Sequence, residues 1–253
     1  MTRNTIKILA LMTMLLDHFA LIILKPGIEG EAQILERLKL SPYIADIFSR
    51  IFFSVGSMAG AVMIYFVIEG YHYTRDRKKY LLRMLLFGVV SQIPFLMLGI
   101  RYLNMLITLA LCMLTVHVHY RVMDKGRRGM LYILLMAANL HTDWNIRAVP
   151  FTLILMSAFH AEPRPRCVSI DKKELRLGWL RCILIYMAVD FFSGEDLANV
   201  LTGCIGVVLA ALLTTCCYSG RPGRAGKLMK YGFYVFYPLH LMALILMRRA
   251  LGC

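Results

Sequence analysis

Asp17 and His18 stand side by side in LLDHFALI, Leu15 to Ile22, near the middle of an apolar run, Ile6 to Leu24, of bilayer-spanning length. An ionisable group at that depth is costly and faces a bundle interior or water, which makes it a functional candidate by default. An imidazole there can take and return a proton near neutral pH. Lys7 precedes His18 by eleven residues, about three helical turns, so both side chains fall on one stripe of the same helix. Asp17 points about 100° away from that stripe, and its partner is expected on another helix. A second membrane histidine, His240, lies in YGFYVFYPLHLMAL, where Tyr234, Tyr237 and His240 recur every three residues and Pro238 bends the helix.

Other polar groups in apolar runs divide between chemistry and packing. Arg83 lies one turn inside a helix that follows the cluster Arg75, Arg77, Lys78 and Lys79. Its guanidinium suits a phosphate at the mouth of a cavity, and it equally suits a snorkelling anchor. Asn104, Thr108, Cys112, Thr115 and His119 form a polar seam at helical spacing, which can pack against its own backbone or offer Asn104 as a donor to substrate. Gln92 and Pro94 sit nearer the outer end of the preceding helix. The seven cysteines lack C-x-x-C spacing and are expected to be reduced, and His117-x-His119 is too slight for a metal site. No metal is expected.

The elements that must position these groups follow from composition. Of 253 residues 59% are hydrophobic, more than one soluble core can bury. The mean hydropathy of +0.64 agrees. Apolar runs predict helices over roughly 6–24, 50–71, 79–99, 102–119, 129–140, 147–160, 178–192, 197–217 and 231–249. That makes an all-α, polytopic membrane bundle of about nine spanning or partly spanning helices in a single domain over 1–253. Two runs, 129–140 and 147–160, are short enough to form a hairpin that does not fully cross. The segment around AQILERLKL is expected to form a short amphipathic helix on the outer surface. Nineteen of the 29 Lys and Arg residues fall in loops on one side, which places the N-terminus in the cytosol. The net charge of +14 is therefore an orientation signal and not a nucleic-acid footprint.

IKILALMTMLLDHFALI, the Arg83–Gly88–Gln92 spacing in RMLLFGVVSQIPF, LNMLITLALC, the HTDWN turn and the final FYPLH occur in an order that resembles the TraX family of membrane acetyltransferases. The resemblance covers nearly the whole chain. It implies a bacterial cytoplasmic-membrane enzyme that takes acetyl from acetyl-CoA, with His18, Asp17 and His240 as catalytic candidates. It further implies motif matches at Arg83, Gln92, Asn104 and Asp143. TraX proteins are known for acetylating pilin N-termini, but nothing in this chain names its acceptor. Relatives often carry glycine after the Asp-aromatic pair of the outer turn, where this chain has Asn145 after Asp143 and Trp144.

On this reading His18 is the general base, and Lys7, Arg75, Lys79 and Arg83 hold the acyl-CoA phosphates at the cytosolic mouth. Gln92, Asn104, Asp143 and Tyr237 would contact the extracytoplasmic acceptor. The partners are the lipid bilayer, acyl-CoA and that acceptor. Two rival classes use the same residues: a proton-coupled small-molecule transporter relaying through Asp17, His18 and His240, and a scaffold whose polar groups only lock helices. The absence of paired internal repeats weighs against the transporter.

Overall fold

The computed structural model describes residues 1–25, 31–161, 168–221, 223 and 227–252, the side chains of 161 and 227–230 excepted. Arg164, Arg166, Cys167, Arg224 and Cys253, and the side chains of Lys227 and Lys230, lie outside what it describes. The first helix, α1 (Arg3–Phe19), is capped by Thr2, whose hydroxyl accepts from Thr5 N, and ends in a π-helical turn, Ala20–Leu24. Its buried stripe is Ile6, Ala10, Met14 and His18, one residue per turn, while Ile8, Met12, Leu15 and Leu16 are exposed on the opposite face. Apolar side chains thus face lipid, and the one imidazole faces the bundle.

Then follow α2 (Glu31–Leu38), the short amphipathic helix, with Ile34 and Leu35 turned inward, and α3 (Pro42–Tyr73). The latter starts eight residues before the expected position. Ser41 caps it, Pro42 fills its first position, and Asp46 pairs with Arg50 one turn on, so the polar residues that hid this segment from a hydropathy reading are helix-stabilising ones. Packed against α1, α5, α7 and α10, α3 is the axis of the bundle.

The remaining elements are α4 (Arg77–Met97), α5 (Met105–Arg121), α6 (Lys125–Asn139), α7 (Ala148–Met156), a two-stranded antiparallel hairpin of β1 (Phe159–Ala161) and β2 (Val168–Ile170), α8 (Lys172–Phe192), α9 (Leu197–Gly203), α10 (Ile205–Leu212) and α11 (Lys227–Ala250). Asp76, Asp124 and Asp171 each cap a helix whose first turn is basic, which accounts for acids on the basic face. Among the described residues four segments have the length and apolarity of a full span: Arg3–Leu24, Pro42–Tyr73, Arg77–Met97 and Leu197–Cys217. The fold is an all-α membrane bundle apart from the one short hairpin.

The α6–α7 pair is short but runs the length of α5. Its turn is tied to the α4–α5 turn by Leu103 N to His141 O and Asp143 N to Leu103 O, at 2.8 and 2.7 Å. At the other end the Tyr120 hydroxyl donates to Phe159 O at 3.2 Å, beside His72. The hairpin therefore follows α5 from one end to the other, although neither of its helices has the length of a full span.

Candidate functional site

The buried stripe of α1 ends on His18, 4% exposed, and α11 brings His240, 5% exposed, against it. His240 Nε2 lies 2.9 Å from His18 Nδ1, and His240 Nδ1 lies 2.9 Å from Phe236 O. A carbonyl only accepts, so His240 Nδ1 carries the hydrogen of that ring. In a neutral pair its Nε2 must accept from His18 Nδ1–H, which makes His18 Nε2 the unprotonated nitrogen of that ring. Around the pair the Tyr237 ring meets His18 edge-on at 6.0 Å and Phe95 does so at 6.3 Å. The Tyr237 hydroxyl accepts from Met105 N at 3.3 Å and keeps its own proton to donate. The result is a base and an O–H donor fixed by a short ladder through α1, α11 and α5.

A cavity of about 350 Å³ approaches this centre from the basic face. Arg3, Lys7 and Arg83 line its mouth, and Met14, Met105 and Tyr237 line its deep end. Arg3 Nε donates to the buried Glu69 at 2.8 Å, and Glu69 also accepts from the Tyr218 hydroxyl at 2.7 Å. Lys7 lies instead between the rings of Phe66 and Phe233, 5.5 and 5.4 Å from their centroids, with no carboxylate at ion-pair distance among the described residues. Arg83 has a buried Nε without a partner among the described residues. A second, wider hollow of about 920 Å³ is lined by His72, Arg75, Arg77, Lys78, Lys79 and Arg121. Thr74 lines both, so shaft and bowl adjoin.

Two acids lie outside the lining of the shaft, Asp17 next to His18 in the chain and Asp143 in the α6–α7 turn. Asp17 and Asp143 are half-buried, and Asp143 lies close enough to act on Asp17 electrostatically. Neither carboxylate has a cation at ion-pair distance among the described residues. Burial pushes the Asp143 carboxyl, in its turn outside the spanning helices, up to about 6. Two glycines of α3 make room: a Cβ at Gly56 would overlap the Asp17 carboxyl, and one at Gly60 would overlap the Trp144 indole. Asn145 adopts φ of 44°, the left-handed region that glycine enters freely and asparagine tolerates. The departure from glycine at this position therefore keeps the backbone conformation.

A family profile described as "TraX protein" matches residues 2–248. The chain belongs to the TraX family. It is also 27% identical, over 94% of its own length and 92% of the relative's, to a "Probable fimbrial assembly protein FimC, serogroup H1" of Dichelobacter nodosus. No solved structure matches.

Within this TraX chain the structure sorts the predicted residues unevenly. It brings His18, His240 and Tyr237 into one contact, Lys7 and Arg83 into the shaft, and Arg75 and Lys79 into the bowl. Asp143 acts on Asp17 electrostatically, and neither lines the shaft or the bowl. Asn104 does something else. It is fully enclosed, donating from Nδ2 to Gly88 O at 2.6 Å and Gln92 Oε1 at 2.9 Å while Oδ1 accepts from Leu106 N. Gln92 in turn donates to Tyr102 O at 2.9 Å. The amide hydrogens of Asn104 are both committed and one of Gln92's is, so the two amides staple the α4–α5 turn. Of the polar seam, Thr108 and Thr115 bond to carbonyls of their own helix.

Sequence reasoning passed over Glu69, Gly56 and Gly60. Glu69 lies in YFVIEGYHY and satisfies the rule that singled out Asp17, an acid in an apolar run. The two glycines gave no local signal, because what they clear space for is on other elements. Cys112, Cys182 and Cys204 are buried and Cys216 and Cys217 exposed, all free. Among the described residues no group of His, Cys, Asp or Glu could hold a metal.

Proposed function

We propose that this protein is a membrane acetyltransferase of the bacterial cytoplasmic membrane, moving acetyl from cytosolic acetyl-CoA to an extracytoplasmic amine. The observation that supports this most is the buried His18–His240 pair, toward which a cation-lined shaft leads from one face, with the acids Asp17 and Asp143 outside the lining of that shaft. A transporter relay needs no such asymmetry. The bowl and shaft suit a donor with phosphates at one end and a narrow apolar arm at the other. From Lys7 to His18 α1 rises about 17 Å, close to the roughly 15 Å that a pantetheine arm spans when extended like a peptide of similar bond count.

In the reaction the amine nitrogen attacks the thioester carbonyl as His18 Nε2 accepts its proton. The Tyr237 O–H donates to the oxygen on which charge develops. His240 Nε2, still accepting from His18 Nδ1–H, favours the imidazolium in place. Collapse breaks the C–S bond, and the thiolate leaves with the proton held by His18. The Asp17 and Asp143 acids attract the acceptor as an ammonium, which gives one proton to the Asp143 carboxylate and becomes the neutral amine that attacks, a preference that favours an amine over a hydroxyl. The name of the Dichelobacter nodosus relative makes a fimbrial subunit a reasonable acceptor to try first.

The test uses purified protein in lipid nanodiscs with labelled acetyl-CoA and a peptide bearing a free α-amine. Wild type should label the peptide, and His18→Ala should fall to background while still binding CoA. Equal labelling by both proteins, or solute counterflow without CoA binding, would defeat the reading.

A further inference from the structure

The shaft stops short of the base it serves. Met14, Met105 and Tyr237 form its deep end, and His18 is not part of its wall. Met14 precedes His18 by four residues on α1, a rise of about 6 Å. Beyond the methionines the space is filled: Phe95 is 1% exposed, Tyr237 2% and His18 4%, and the Phe95 and Tyr237 rings stack at 6.3 Å. A close-packed wall of this kind holds no void for a chain.

A thioester reaching His18 Nε2 must therefore displace a methionine tip, and the space that tip vacates is what receives the acyl group. Methionine suits this because it is unbranched and has three rotatable bonds. The Met105 backbone cannot yield in its place, since its N–H is bound to the Tyr237 hydroxyl at 3.3 Å. Resting on the acyl-CoA reading above, we infer that Met14 and Met105 form a gate that sets the length of the transferred acyl group. It admits acetyl and excludes chains as long as hexanoyl. The two methionines are specificity-determining residues and touch no proton in the reaction.

Equilibrium binding of CoA, acetyl-CoA, butyryl-CoA and hexanoyl-CoA to nanodisc-embedded wild type, Met14→Ala and Met105→Ala tests this. In wild type hexanoyl-CoA should bind at least roughly tenfold more weakly than acetyl-CoA, the smallest discrimination expected for added methylenes that do not fit. In Met105→Ala that ratio should fall to about threefold or less with CoA itself unaffected, and Met14→Ala should move the same way. A wild type that binds hexanoyl-CoA as tightly as acetyl-CoA overturns the gate whether or not the variants fold. Folded variants that keep the wild-type ratio also overturn it. If CoA itself does not bind wild type, the donor reading falls and takes the gate with it, a result distinct from failure of the gate alone.

Discussion

The two ends of the bundle treat charge differently. On the basic face Arg3 is neutralised by Glu69, Lys7 is held between two aromatic rings, and the bowl carries Arg75, Lys78, Lys79 and Arg121. Outside the shaft, Asp17 and Asp143 act on each other electrostatically with no cation at ion-pair distance among the described residues. Aromatic faces hold a cation without cancelling its charge, and a like-charged acid pair in a half-buried turn is costly unless something positive comes to it. On the function proposed above, the basic side serves an anionic donor and the two acids serve a cationic acceptor, with the histidine pair adjoining both.

The harshest way to break the arrangement is at the divide itself. His18→Ala should cut acetyl transfer on the order of a thousandfold, read by product label at saturating acetyl-CoA, while His240→Ala should leave CoA binding intact and lower kcat less. Next comes the acidic side's packing. Gly60→Ala should drive a methyl into the Trp144 indole and lower stability by about 1–3 kcal/mol, read as a fall in Tm in detergent, whereas an unchanged Tm would mean that Trp144 is free to move.

Asp143→Asn sharpens the comparison by removing one charge. It should raise KM for an amine acceptor roughly tenfold and leave KM for acetyl-CoA unchanged. With the Asp143 carboxyl at about 6, the charged form dominates above that pH, so wild-type acceptor KM should rise as pH falls through 6. The variant should lose that limb of the profile, and a limb that persists would assign it to another group. The smallest effect is expected at the basic mouth, where several cations share the work: Lys7→Gln should raise KM for acetyl-CoA only a few-fold and weaken its salt dependence.

Much of this was legible along the chain because it depends on properties that belong to one helix at a time. The burial of His18 follows from its place in the stripe Ile6, Ala10, Met14 and His18, and the orientation of the helices follows from where Lys and Arg sit in the loops. The early start of α3 was missed because Asp46 and Arg50 read as loop residues until their pairing along one helix face was seen. The bonds of Asn104 were not legible because an amide at a helix start looks the same in sequence whether it faces a ligand or closes a turn. Only the carbonyl of Gly88 and the side chain of Gln92, brought to it by α4, decide between those uses.

The sequence by itself determined a lipid-embedded bundle, its basic face, and the depth and facing of its ionisable groups, since hydropathy, charge and helical period are local quantities. The tertiary structure alone decided that His240 meets His18 across 222 positions of chain, that Asp143 comes to Asp17, and that Gly56 and Gly60 clear the space for the Asp17 carboxyl and the Trp144 indole. These depend on how helices pack, a property of pairs of surfaces that no single segment encodes.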